Sequence, residues 1–383
     1  MDLLSCRFRA RSRYELVLFD RLSSREREAL SDLTSDPDFY GVLRPAEGAS
    51  LKSVDRDTAL LFLTLREPGS LPSYVRAVLG GETRRTVARL VADGVLEIER
   101  EGHFLSGAAV VDLLGEGASH CAEGRLAELS LAALRYGQAL LVDDPLLLSW
   151  RLYCYNRRPL TPAWKRLLPA ADAVEAHLGL GRGASARRLL DRSWSRTPPV
   201  EGWLSWRARP RRGADAAGRA DGPTWKLYIS PLPEVLAGFF GEILAALTAA
   251  RAGQFKVGWD AAGLLRPDKI VAYFPSFERL AEAADILAGR LSGAPAQGVP
   301  FTSEIAGGGL LSWGMDPPRS QRTWSEGESW RLWLTLRLAR ALLAARSSAS
   351  EAATEPWRFA LERVRLEGID TNNWSPEARI FQG

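Results

Sequence analysis

The chain has 383 residues, 50 of them basic and 46 acidic, with 46% hydrophobic and 25% charged content and a formal net charge of +4. That length accommodates two or three domains with real cores, and this composition is ordinary globular usage, so disorder is not the expectation. The mild basicity does not by itself point to nucleic acid, and an acidic or phosphorylated substrate suits it equally well.

Residues 1–115 read as a winged-helix domain. Tyr14 to Phe19 has the look of a strand and Ser23 to Leu33 that of a helix. Three further helices are expected at Asp57–Leu65, at Leu71–Leu79, closed by Gly80-Gly81, and at Thr83–Ala92, closed by Asp93-Gly94. Val95 to Glu99 then turns through Arg100-Glu101-Gly102 into His103-Phe104-Leu105, and three helices before a two-stranded wing make the winged-helix pattern. The third helix turns Val87, Leu90 and Val91 inward and Arg84, Arg85 and Arg89 outward. A DNA reader wants such a basic helix, but the acidic wing (Glu97, Glu99, Glu101) would repel phosphates, so nucleic acid is not the expected partner. A peptide added as a strand between wing and third helix suits these residues better, with Arg84, Arg85, Arg89 and Ile98 as candidate contacts. A winged helix used only for packing or dimerisation is the plain alternative.

Residues 116–206 read as mainly helical, with Leu126 to Leu141 strongly apolar. In Arg151-Leu-Tyr-Cys-Tyr-Asn156, Tyr153 and Tyr155 alternate as in a strand, which Pro159 and Pro162 end. Trp164, Lys165 and Arg166 read as a helix start with a solvated basic edge, and Trp194, Trp203 and Trp206 as core. Residues 207–223 carry Arg, Gly, Ala and Asp without large apolar side chains, a linker or loop whose arginines are solvated or close over an anion.

Residues 224–383 hold the chain's most informative stretch. Only five of the basic residues are lysine, Lys52, Lys165, Lys226, Lys256 and Lys269, and three of them fall between Trp225 and Trp313. Lysine, unlike arginine, can lose its proton, so a chain that otherwise takes arginine has a use for lysine where a neutral amine is needed; chance placement of surface lysines is the alternative. Each of the three lies in or beside a strand-like run: Lys-Leu-Tyr-Ile-Ser from Lys226, Gln-Phe-Lys-Val-Gly around Lys256, and Ile-Val-Ala-Tyr-Phe after Lys269. Alternation puts Lys226 and Tyr228 on one face of the first run and Leu227 and Ile229 on the other. Amphipathic helices are expected from Pro233 to Arg251 and after a capping Ser276, and a further apolar run at Leu310–Trp313, so the fold class is α+β with an antiparallel or mixed sheet. Gly307-Gly308-Gly309 is a turn, a long helix runs from Ser329 to Ala345, Ser347 to Thr354 is a polar break, and a last helix runs from Pro356 to Glu367.

Three widely spaced cysteines, Cys6, Cys121 and Cys154, and three scattered histidines argue against a disulfide framework and against a metal site, and fit a reducing cytoplasm. No secretory signal and no membrane span are expected.

Trp-Lys226-Leu-Tyr-Ile-Ser, Phe-Lys256-Val-Gly and Arg266-Pro-Asp268-Lys-Ile-Val-Ala-Tyr273-Phe, in that order, resemble the phosphothreonine lyase superfamily. That group includes secreted bacterial effectors, the lyase domains of class III and IV lanthipeptide synthetases, and the HopA-like proteins of class V lanthipeptide and thioamitide pathways. The resemblance runs from about Leu147 to the C-terminus and takes in Arg151–Asn156 and Gly368-Ile-Asp370. It implies β-elimination of phosphate from phosphoserine or phosphothreonine in a ribosomally made precursor peptide, without metal or organic cofactor, beside a separate Ser/Thr kinase, with a cyclase as an optional further partner. It implies Lys256 as the base that removes the Cα proton, with Lys226, Arg266 and Lys269 holding the phosphate, and the N-terminal domain as a leader-recognition element.

Two departures from that pattern stand out. Tyr228 occupies the position where the family commonly carries the histidine that protonates the leaving phosphate, so the donor implied here is Tyr228 or Tyr273, or the phosphate leaves unprotonated. The family's arginines near the third strand pair have no counterpart in Ser303-Glu-Ile-Ala306; Arg319, Arg322 and Arg331 downstream are the candidates to replace them. These departures leave open a chemically inert scaffold that binds the precursor or the kinase, and, after it, a winged-helix regulator.

Overall fold

The computed structural model describes residues 2–33, 36–46, 51–115, 122–198, 202–210, 224–317, 328–347 and 355–381. The expectations for residues 211–223, for Arg319 and Arg322, for Cys121 and for most of the polar break before Pro356 lie outside the described residues. The protein is α+β, and every named strand pairs antiparallel. It divides into two units, Met1–Ser119 with Ala341–Leu366, and His120–Arg340 with Glu367–Gly383.

In the first unit, helices occupy Arg56–Thr64, Ser73–Leu79 and Thr83–Ala92, and Leu96–Arg100 pairs with His103–Leu105. A strand that the sequence reading missed, Arg7–Ala10, pairs with Leu96–Arg100 on its other side and buries Phe8 and Ala10. It also neutralises two of the three wing carboxylates, because Arg9 pairs with Glu97 at 2.5 Å and Arg7 with Glu99 at 2.9 Å. The helix expected over Ser23–Leu33 stops at Ala29 and resumes as a 3-10 turn, its start fixed by a capping box between Ser23 and Glu26.

Three of the four candidate peptide contacts are occupied within this unit. Ile98 is wholly buried in the middle of its sheet. Arg84 donates to the carbonyls of Leu113, Leu114 and Gly115, and Arg85 to that of Leu366, so both satisfy carbonyls at helix ends instead of facing outward. Arg89 alone of the four is exposed.

The second unit is built on a seven-stranded sheet, whose strands are β1 (Trp194–Arg196), β2 (Trp203–Ala208), β3 (Trp225–Ile229), β4 (Gln254–Gly258), β5 (Ile270–Phe274), β6 (Ser303–Ala306) and β7 (Leu311–Met315), in the order β6-β7-β3-β5-β4-β2-β1. One face is a continuous core. Leu227, Ile229, Phe255, Ile270, Ala272 and Leu204 pack against Leu236, Phe240, Ile243 and Leu247 of the helix Pro233–Ala249 and against Leu280 and Leu287 of the helix Phe277–Arg290. Each fully buried side chain of this size contributes about 1.5–3 kcal/mol, so this face fixes the register of the sheet and with it everything on the opposite face.

Arg151–Asn156 is not a strand. Asp144 caps a helix over Pro145–Tyr153, accepting from the Leu147 amide at 2.6 Å, with Pro145 in its first turn. Those start signals outrank the two alternating tyrosines. The C-terminal segment is docked: Ile369–Asp370 pairs with Ser375–Pro376, and the fully buried Trp374 meets Phe301 edge-on.

Candidate active site

The face of the sheet turned away from the helical core carries the charge. Lys226 stands opposite Tyr273, Tyr228 opposite Val271, and Val271 opposite Lys256. Tyr228, Val271 and Lys256 therefore form one row across β3, β5 and β4, and Lys226, Tyr273 and Gln254 the next. Two strand spacings, roughly 10 Å, separate the backbones of Tyr228 and Lys256. Over this face lies a cavity of about 250 Å³, lined from the sheet by Trp203, Lys226, Tyr228, Lys256, Val271 and Tyr273, and from outside it by Trp150, Tyr153, Arg266, Asp268 and Arg331.

The side chain of Lys256 has no hydrogen bond or ion pair with any described residue. Its amine lies 4.2 Å from the centre of the Trp203 ring and 5.8 Å from that of Tyr273. Burial, the Lys226 ammonium and the Arg266 guanidinium together lower its pKa to about 8, against the pull of Asp268 and Asp316. Lys226, by contrast, donates to Asp316 at 2.5 Å.

Asp268 organises the cationic wall. Arg266 grips it with two hydrogen bonds of 2.9 Å, Tyr153 donates to it at 3.0 Å, and Arg331 pairs with it at 3.0 Å. Burial by itself would raise the Asp268 pKa, but Arg331 and Arg266 outweigh it and hold the carboxyl well below the usual carboxylate range. Arg331 is only 1% exposed and also donates to the carbonyls of Pro300 and Tyr153. Its Nη1 is near enough to Asp268 for an ion pair but out of hydrogen-bond alignment.

The hydroxyls of Tyr228 and Tyr273 make no hydrogen bond with a described residue. Burial raises both phenols well above their ordinary pKa, as does Asp316, with Arg331 opposing at Tyr228. Both therefore stay protonated at neutral pH and can donate. Tyr153 is pushed up to about 12 by burial and Asp268.

The structure thus brings Lys226, Tyr228, Lys256, Arg266, Tyr273 and Arg331 to one cavity. It does not bring Lys269 there. That side chain is wholly buried, and its amine donates to the Pro231 carbonyl at 2.9 Å and to Gln297 Oε1 at 2.7 Å. Strand parity set Lys269 on the correct face, but it precedes β5 and its chain runs into the interior. Sequence reading missed Tyr153, Asp268 and Trp203 as cavity residues. For Trp203 the signal was present, since period two along Trp203-Leu-Ser-Trp206 separates it from the core positions Leu204 and Trp206. Among the described residues no group of three or more His, Cys, Asp or Glu is arranged to hold a metal ion, and no helix is long and apolar enough to cross a membrane.

No protein-family model and no curated protein matches the chain. Solved structures similar to it include an effector protein from Pseudomonas syringae pv. syringae, at 15% identity over 67% of this chain and 100% of that one with a TM-score of 0.40. A second effector, from Pseudomonas syringae pv. tomato, has 11% identity over 66% and 98% of the two chains and a TM-score of 0.39. A phosphothreonine lyase has 12% identity over 56% and 98%, with a TM-score of 0.27. Overlaps this distant assign no role to any residue described above.

Proposed function

We propose that the protein is a phospho-Ser/Thr lyase that eliminates phosphate from a ribosomally made precursor peptide. The observation that carries this reading is a lysine with a lowered pKa, free of ion pairs, in the same cavity as three further cations and two protonated phenols. Even with Lys256 neutral, Lys226, Arg266 and Arg331 outnumber the two carboxylates, Asp268 and Asp316, an excess of positive charge that attracts a phosphomonoester dianion.

In this reading the neutral amine of Lys256 takes the Cα proton. The released electron pair forms the Cα=Cβ bond, the Cβ–O bond breaks, and phosphate leaves with its electrons. The Tyr228 or Tyr273 phenol supplies a proton to the departing oxygen. Lys226, Arg266 and Arg331 hold the phosphate, and the products are dehydroalanine or dehydrobutyrine and inorganic phosphate. What supports this division is that Tyr228 and Lys256 lie in one row, two strands apart. A separate kinase supplies the phosphorylated substrate, and the N-terminal unit, as a winged-helix-like element with Arg89 exposed, holds the leader. The test is to incubate the protein with phosphorylated precursor and look for the mass loss of phosphoric acid; no loss under any condition refutes the proposal.

One observation favours a second reading, an inert scaffold: three of the four cations are already paired internally, Arg266 and Arg331 with Asp268 and Lys226 with Asp316. That reading expects binding of unphosphorylated precursor or of the kinase without any elimination product.

A further inference from the structure

A second cavity, of about 170 Å³, shares Trp150, Tyr153, Arg266 and Asp268 with the first and continues to Arg157, Trp259, Asp260 and Ala262. Its charge balance is different. Two guanidiniums, Arg157 and Arg266, face two carboxylates, Asp260 and Asp268, so nothing is left over to attract an ion. These polar groups are also engaged by the protein. Asp260 accepts from the Gly263 amide at 2.6 Å, Arg157 donates to the Ala262 carbonyl at 2.8 Å, and Arg266 and Asp268 hold each other.

What the second cavity still offers is apolar surface. Trp150 is 51% exposed although it stacks on Tyr153, with ring centres 5.5 Å apart. Trp259 is half-buried on another wall. An aromatic wall with committed polar groups gains most by covering its indoles with an uncharged side chain. The wall is also fixed in place. A Cβ on Gly258 would lie 2.4 Å from the carbonyl carbon of Gly263, so the turn that carries Trp259, Asp260 and Ala262 is pressed against the end of β4.

We infer that this cavity seats an apolar side chain of the substrate peptide close in sequence to the phosphorylated residue, an inference that rests on the elimination activity proposed above. In an extended peptide, residues two apart point the same way and lie ~7 Å from each other, so one chain reaches adjoining cavities without a bend. The first cavity then selects the phosphate and the second selects its neighbour.

The experiment separates binding from chemistry. Peptides carry a phosphonate analogue of phosphoserine, in which a methylene replaces the ester oxygen so that nothing can be eliminated. Leucine, alanine, glutamate or lysine is placed in turn at each of the two positions on either side, and binding is read by fluorescence anisotropy. At one position the wild-type protein binds the leucine peptide about tenfold more tightly than the alanine peptide. Ala262→Leu, which fills the cavity, and Trp259→Ala, which strips its wall, both bring that ratio close to one and leave the alanine peptide within about twofold. A wild-type protein indifferent to leucine at all four positions overturns the inference. So does a preference for glutamate or lysine, or a ratio that Ala262→Leu leaves intact. Elimination is assayed separately on the matching phosphopeptides. If they lose no phosphate while the leucine ratio behaves as stated, the activity proposal falls and the subsite stands.

Discussion

The amine of Lys256 lies 4.2 Å from the centre of the Trp203 ring, and no described carboxylate pairs with it, whereas Lys226 on the neighbouring row is held by Asp316. On the proposed reading, the free amine is the one that exchanges a proton with substrate. Its pKa of about 8 leaves a usable neutral fraction at neutral pH. Because the deprotonated amine is the active form, kcat/KM for elimination rises with pH through about 8 and levels off above it. The Lys226 ammonium contributes to the lowered value, so Lys226→Met moves this limb to higher pH as well as weakening phosphate binding. A limb that keeps its midpoint in Lys226→Met contradicts the assignment of Lys256 as the titrating base.

Substitution at Lys256 separates catalysis from binding. Lys256→Ala removes the base, and Lys256→Arg replaces it with a group that stays protonated at any accessible pH. Both are expected to lower the elimination rate by about 10²–10⁴-fold, the usual contribution of a general base, while phosphopeptide still binds. Full activity in either variant, measured by the mass loss, removes Lys256 from the mechanism. Equal silence of wild type and variants favours the scaffold.

Asp268 bears on stability as well as on the site. Arg331 is almost fully buried and takes its only described carboxylate from Asp268. Asp268→Asn strands that charge, which costs about 3–5 kcal/mol for a buried pair. The linkage has a definite sign. The folded-state pKa of Asp268 is depressed, so its contribution is present above the unfolded value of about 4 and is lost as pH falls below that. Urea titrations between roughly pH 2 and pH 6 should show the wild type losing stability in acid more steeply than Asp268→Asn. Parallel acid slopes would mean that the carboxylate is not clamped as described.

Much of the second unit was legible because local and long-range signals agree there. The runs from Lys226, around Lys256 and after Lys269 alternate as half-buried strands do, and each lies in or beside a strand of the central sheet. The helix after Pro233 carries an apolar stripe that is buried in the core shared with the sheet. What stayed hidden depends on contacts distant in sequence. Tyr153 reaches Asp268 across 115 positions, and Arg331 lies near residues 153 and 300 only because the long helix Trp330–Ser347 brings it there. Asp268 was visible in Arg-Pro-Asp-Lys, but nothing local says that two arginines and a tyrosine converge on it. Ile98 and Arg84 were misjudged for a related reason. The strand Arg7–Ala10 that covers the sheet and the carbonyls that Arg84 serves come from parts of the chain with no local mark of pairing.

Lys269 offers a prediction independent of any activity. Its amine is wholly buried and has two neutral acceptors, Pro231 O and Gln297 Oε1, and no carboxylate bonded to it. Burial lowers its pKa to about 7, against an unfolded value of about 10.4. Between those values the unfolded chain holds a proton that the folded chain lacks, so stability rises with pH across that window, with a limiting slope of roughly 1.4 kcal/mol per pH unit. Lys269→Met removes this contribution and leaves the smaller one of Lys256, whose lowered pKa of about 8 acts in the same direction above that pH. The substitution also leaves the two acceptors unpaired, at a cost of about 1–3 kcal/mol, so the variant is less stable than wild type near pH 10; the wild type forfeits roughly 3–4 kcal/mol between pH 10 and pH 7, so the order reverses toward pH 7. The elimination rate stays within a few-fold, since the side chain does not reach the cavity. Denaturant titrations of both proteins between pH 7 and about pH 10 decide the matter: a slope as steep in Lys269→Met as in wild type would show that the amine keeps its proton in the folded protein.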